Sequence, residues 1–222
     1  MKKLLITIVA AFSALNIYAQ EYDESVSSPP PTTDTVVAPV KPLEANIRAE
    51  HMLFRGEQIT GSLDRFVEKM ERRGFKYLIP EPTGATMYGR FAAIDDCHLV
   101  IETNNNIVYR ASVVFPRRKV WREVHGDFEY LKEMLVKKYG EPADSVIDFK
   151  THEPKDDYSK LMKVRQDLCE YYIQFDLPRG TIKLSIGHIE PSPVKRFLPC
   201  VVLAYEDKIN AQKEVTKAYD DL

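Results

Sequence analysis

The groups able to do chemistry in this 222-residue chain are five histidines, three cysteines and 33 aspartates and glutamates. His51, His98, His125, His152 and His188 recur at no interval that would set two of them on one metal, so zinc is not expected. His98 with Glu102, and His188 with Glu190, would bring an imidazole and a carboxylate to one face of a strand, a pairing that charged strand surfaces produce routinely. Cys97 beside His98 has the residue types of a nucleophile and its base. Neighbours in a strand point to opposite faces, however, which separates them. The pairs Asp95-Asp96 and Asp156-Asp157 read as solvated turn residues rather than as an acid and base. There is no Gly-Xaa-Ser-Xaa-Gly elbow, phosphate-cradling glycine loop or dinucleotide fingerprint. No enzyme, metal or cofactor is therefore expected.

Recognition is the stronger theme, because tyrosine joins a large contact area to a polar tip and the chain holds 12 of them. The elements that would position such residues follow from periodicity. Leu63, Phe66, Val67 and Met70 make a helical stripe after Gly61-Ser62, with the Ser62 hydroxyl as the expected cap and Gly74-Phe75 as the stop. Strands follow at 76–79, 88–93, 99–102 and 107–115, broken by Pro80-Glu81-Pro82, Asp95-Asp96 and Asn104-Asn105-Asn106. About 65 positions after Gly61, Gly126-Asp127-Phe128 opens a comparable stretch. Its stripe is Val124, Phe128, Leu131, Leu135 and Tyr139, and its strands lie at 146–149, 171–177, 181–186 and 200–205. A charged insertion at 150–166, read as an excursion with a helical turn around 158–164, has no counterpart in the first stretch.

The expected fold is α+β: two tandem repeats, 46–119 and 120–222, each one helix packed on an antiparallel meander of three or four strands. If the two sheets join side by side, the face away from the helices presents His98, Glu102, Arg110 and Ser112 from one unit. From the other it presents Tyr172, Gln174 and Lys183. These seven are the candidate binding residues, the alternative being an ordinary wet sheet face.

A helix on an antiparallel meander, duplicated in an exported chain, resembles the beta-lactamase-inhibitor-protein architecture and that of small outer-membrane-assembly lipoproteins. The segment Phe54-Arg55-Gly56-Glu57-Gln58-Ile59-Thr60-Gly61-Ser62, with Phe66 and Gly74-Phe75 downstream, is similar to uncharacterised secreted proteins of gut bacteria. The resemblance is one of plan, and it brings no functional residue with it.

Lys2-Lys3, the apolar run Leu4 to Leu15 and Ile17-Tyr18-Ala19 before Gln20 form a secretory signal, 1–19, too short for the roughly 20 residues that cross a bilayer. Residues 20–45 are rich in Ser, Thr and Pro and read as a disordered tether. The expected location is the periplasm or beyond, with no membrane span. With a net charge of -2 and no basic stripe, nucleic-acid binding is not expected. Three cysteines allow at most one internal bridge. Cys169 and Cys200 are its expected members unless all three are simply small buried residues. The expected function is a noncatalytic binding or inhibitory module for a protein or peptide. An envelope assembly or structural factor and a small hydrolase are the alternatives.

Overall fold

The computed structural model describes residues 50–188 and 199–212. The expected signal peptide, the tether, Glu190 and most of the terminal stretch 210–222 lie outside them. A small ribbon comes first, β1 (Leu53–Phe54) and β2 (Glu57–Gln58), turned by Arg55 and Gly56 at φ of 49° and 83°. Helix α1 (Leu63–Arg72) then buries Phe66 and Met70. The Ser62 hydroxyl does not cap it. Instead the Leu63 amide, one of the helix's orphan donors, reaches Oδ1 of Asn106 at 3.4 Å, a partner brought from a distant turn. The other end closes as the sequence implies. Gly74, at φ 91°, lets the Phe75 amide donate to the Met70 carbonyl at 3.1 Å and its own amide to that of Glu71 at 2.9 Å.

Next come β3 (Lys76–Glu81), β4 (Gly84–Phe91), β5 (Ile94–Asn104) and β6 (Ile107–Val114). After helix α2 (Trp121–Tyr139) and strand β7 (Asp144–Phe149) comes helix α3 (Asp157–Arg165). Strands β8 (Cys169–Leu177), β9 (Gly180–His188) and β10 (Pro199–Asp207) complete the set. The fold is α+β. One antiparallel sheet of eight strands runs β3-β4-β5-β6-β10-β9-β8-β7, so β6 and β10 meet at its centre.

Two local expectations are corrected, and a third is met in fuller form. Helix α2 starts at Trp121, so Gly126 lies inside it rather than opening it. The indole is 6% exposed and packs on Phe149 and Tyr171, and that burial sets the start. The helical turn expected around 158–164 is present as α3, which buries Leu161 and Val164 and is capped by the Asp156 carboxylate accepting from the Ser159 amide at 2.8 Å. A loop that can bury two aliphatic side chains one turn apart gains more by coiling than by staying in solvent. The turn assigned to Asp95-Asp96 falls at Ala92-Ala93, both left-handed, at φ 49° and 64°, and Asp95 and Asp96 lie within β5.

The core occupies the helix side of the sheet, where Met87, Leu99, Ala111, Val113, Leu203, Leu184 and Ile173 pack with Phe66, Phe128 and Leu131 from the helices. Alternation also decides the cysteines. Cys169 packs against this core, whereas Cys200 alternates with the core residues Val201 and Leu203 and so lies on the opposite side of the sheet. The expected Cys169–Cys200 bridge is not formed, and all three thiols are free. Burial pushes the thiols of Cys97 and Cys169 up to about 11 and that of Cys200 to about 12.

The end of β10 is tied to the start of the described chain by a buried carboxylate. Asp207, wholly inaccessible, accepts from the Met52 amide at 2.7 Å and the Asn210 amide at 2.8 Å, with Nδ1 of His51 at 3.1 Å. The Asn210 side chain in turn donates to the carbonyls of Ile59 at 3.1 Å and Val108 at 3.2 Å.

Candidate functional site

Strand register sorts the side of the sheet away from the core into three rows. Glu102, Arg110, Glu206, Thr181 and Asp176 are successive partners in the first. Val100, Ser112, Ala204, Lys183, Gln174 and Asp144 make the second. Tyr88, His98, Val114, Val202, Ser185, Tyr172 and Val146 make the third. All seven residues singled out from the sequence, His98, Glu102, Arg110, Ser112, Tyr172, Gln174 and Lys183, therefore share one side. They join across the β6–β10 seam.

Their side chains are organised by each other. Nε of Arg110 sits 3.4 Å from Glu102 and 3.9 Å from Glu206, so one guanidinium serves two carboxylates that flank it in register. Lys183 holds its ammonium 3.6 Å from the centre of the Tyr172 ring, and the Tyr172 hydroxyl donates to Asp144 at 2.8 Å. That hydrogen bond is the main reason the phenol titrates above its ordinary value. Burial draws the Lys183 ammonium below its own. Gln174 donates to Asp176 at 2.9 Å. His98 is held below its usual 6.5 by burial and by the positive charge of Arg117. Ser112 and Ala204, short and nearly covered by their neighbours, separate the charged first row from the more apolar third.

Glu206 and Asp144 also belong to this face, as does Asp176, which the alternation of β8 turns outward with Tyr172 and Gln174. The alternation of Val201, Leu203 and Tyr205 puts Glu206 opposite them, and β10 runs on past the expected 200–205 to Asp207. The face offers ion pairing and hydrogen bonding. Among the described residues no three His, Cys, Asp or Glu side chains gather as metal ligands. Outside the face, Nε2 of His188 lies 3.1 Å from Asp167.

A second site lies on the helix side and was not foreseen at all. A cleft of about 470 Å³ is lined by Phe91, Leu131, Met134, Leu135, Leu203 and Tyr205 and by four cations, Arg55, Arg73, Arg90 and Lys138, with no carboxylate in its wall. Arg73 is paired with Glu57 at 2.7 Å, which holds the Glu57 carboxyl below its ordinary range, and Arg90 lies 3.5 Å from Asp95. Arg55 rests over the rings of Phe75 and Phe91, and Lys138 over that of Tyr139. The cleft draws on the β1–β2 turn, the end of α1, the Ala92-Ala93 turn, α2 and β10. No sequence interval links these segments.

No helix among the described residues is long and apolar enough to cross a membrane. Compared with family models, curated proteins and solved structures, the chain matches none.

Proposed function

We propose that this chain is a noncatalytic binding module, exported by its first 19 residues, that captures a cationic segment of a protein or peptide across the outer face of its sheet. The observation that carries this is the charge balance of that face. Register places Glu81, Glu102, Glu206, Asp176, Asp144, Asp148 and Glu170 on it against Arg110, Lys183 and Lys76. Such a surplus steers lysine- and arginine-rich partners to the face and repels acidic ones. Tyr88, 38% exposed, and Tyr172 supply the apolar margin.

The same reading takes the two helix-and-four-strand stretches as a duplicated unit, supported by a strand order in which two meanders meet through their last strands. Sheet edges are poorer docking sites than the face. Pro80 interrupts the donors of β3, and Asp144 and Asp148 charge β7.

The test is a titration of the purified mature chain with a Lys- and Arg-rich peptide of about a dozen residues and with its Glu-rich counterpart, at low and physiological salt. The basic peptide should bind and the acidic one should not, with affinity falling as salt rises. Glu206→Lys with Asp176→Lys, both at accessible positions, should abolish capture while leaving the melting curve intact. Equal binding of the two peptides, or undiminished capture by the charge-reversed variant, overturns the reading. Retention on an Ile147-flanked β7 edge would then point to strand addition.

A further inference from the structure

We propose that the helix-side cleft is a separate site for an amphipathic carboxylate, an acyl chain carrying one anionic head. Three independent features of the cleft agree on this. First, its wall holds four cations and no acid, and Arg55 and Lys138 make no ion pair among the described residues. An anionic head therefore meets two positive charges that no internal carboxylate offsets. Second, the floor is hydrocarbon: Leu131 and its neighbours offer a chain apolar contact, and Met134, 44% exposed at the rim, can follow its shape. The volume, about 470 Å³, is that of a small-molecule site rather than of an extended peptide groove.

Third, the rim is built from backbone conformations that cost energy. Arg55, Ala92 and Ala93 all sit at positive φ, 49°, 49° and 64°, without being glycine. Residues with a Cβ persist in that region only when surrounding contacts hold them, and such positions cluster at ligand sites. Here the Tyr130 hydroxyl donates to the Ala92 carbonyl at 3.2 Å, and Arg55 donates to the Arg90 carbonyl at 3.2 Å, so the two turns are tied to each other and to α2. The cleft is thereby held open before any ligand arrives, which lowers the ordering cost of binding.

The site lies on the opposite side of the sheet from the acidic face, so either can fail without the other. The experiment is calorimetric titration of the mature chain with dodecanoate below its micellar concentration. Dodecyltrimethylammonium is the same tail with reversed charge, and butyrate the same head without the tail. Dodecanoate should bind at least about tenfold more tightly than either comparison, the size expected when one partly buried charge contact is won or lost. Lys138→Glu should weaken it by about tenfold or more and Met134→Asp by a comparable factor, each with an unchanged melting curve. No binding of dodecanoate at near-millimolar concentration, equal binding of the anionic and cationic surfactants, or unaltered affinity in both variants would refute the site. Tight binding of an acidic peptide without dodecanoate would refute it too, and would give the cleft to a protein partner.

Discussion

Replacing Asp207 by alanine tests the buried junction between the two ends of the described chain. In the native fold the carboxylate is inaccessible and accepts from two backbone amides, those of Met52 at 2.7 Å and Asn210 at 2.8 Å, besides facing His51. Alanine removes both acceptors but leaves both donors buried. Each stranded donor costs about 1–3 kcal/mol, so the variant should lose about 2–6 kcal/mol. Asp207→Asn keeps one acceptor but turns its NH2 toward a group that also donates, and should lose about 1–3 kcal/mol. Urea denaturation followed by circular dichroism gives both numbers from the shift in midpoint, provided the slope is unchanged. Against a total stability of about 5–15 kcal/mol, the alanine variant should be visibly fragile. A loss below about 1 kcal/mol for Asp207→Ala would mean that the two amides find other acceptors, and the junction would not be what joins the ends.

The titration of His98 gives a pH dependence of definite sign. Its folded value is depressed below 6.5, so the unfolded chain binds the proton more readily, and stability present above about pH 6.5 is lost as the pH falls. Melting temperature should drop between pH 7.5 and 5, and His98→Gln should flatten that part of the profile; an identical slope in the variant would rule the residue out. With thiols raised to about 11 or 12 by burial, Cys97 and Cys200 should resist alkylation at pH 7.5 until denaturant is added. Mild oxidation should not join Cys169 to Cys200, and a native mass two daltons lighter through that bridge would contradict the sheet register. Gly180→Ala should cost about 1–3 kcal/mol in denaturant, because a Cβ there runs into the Glu206 carbonyl across the β9–β10 ladder. A neutral substitution would show that the two strands can part without penalty.

Helix stripes and strand alternation were legible because burial imposes a period on the chain. Phe66, Met70, Phe128 and Leu131 are core residues as their spacing implies, and the seven face residues share a side because a period of two leaves no other choice. Starts and turns were less legible. Ser62 looked like a cap, but its hydroxyl accepts from no helix amide, and the orphan amide of Leu63 is met instead by Asn106 from another part of the chain. Asp95-Asp96 carried turn chemistry, yet the turn fell on two alanines whose left-handed conformation no local propensity favours. Helix α3 was legible as a helical turn around 158–164, but its charge concealed that it docks on the core. Of its nine residues two reach the core, enough to order the segment and too few to stand out. The cleft was invisible for a different reason: its cations lie on four separate elements and converge only once the sheet and helices have packed.

The place of β10 sets the order in which the molecule can be completed. This strand follows every other strand of the sheet in the chain, yet it pairs with β6 on one side and β9 on the other. Until residues 199–207 emerge, the earlier strands form two half-sheets, each with a bare ladder at what will become the middle. Those ladders are apolar on one side and ready to pair with any extended chain nearby. A nascent protein of this design therefore stays vulnerable to aggregation until its central strand arrives. A truncation before residue 199 would leave an open-edged sheet, not a slightly shortened copy.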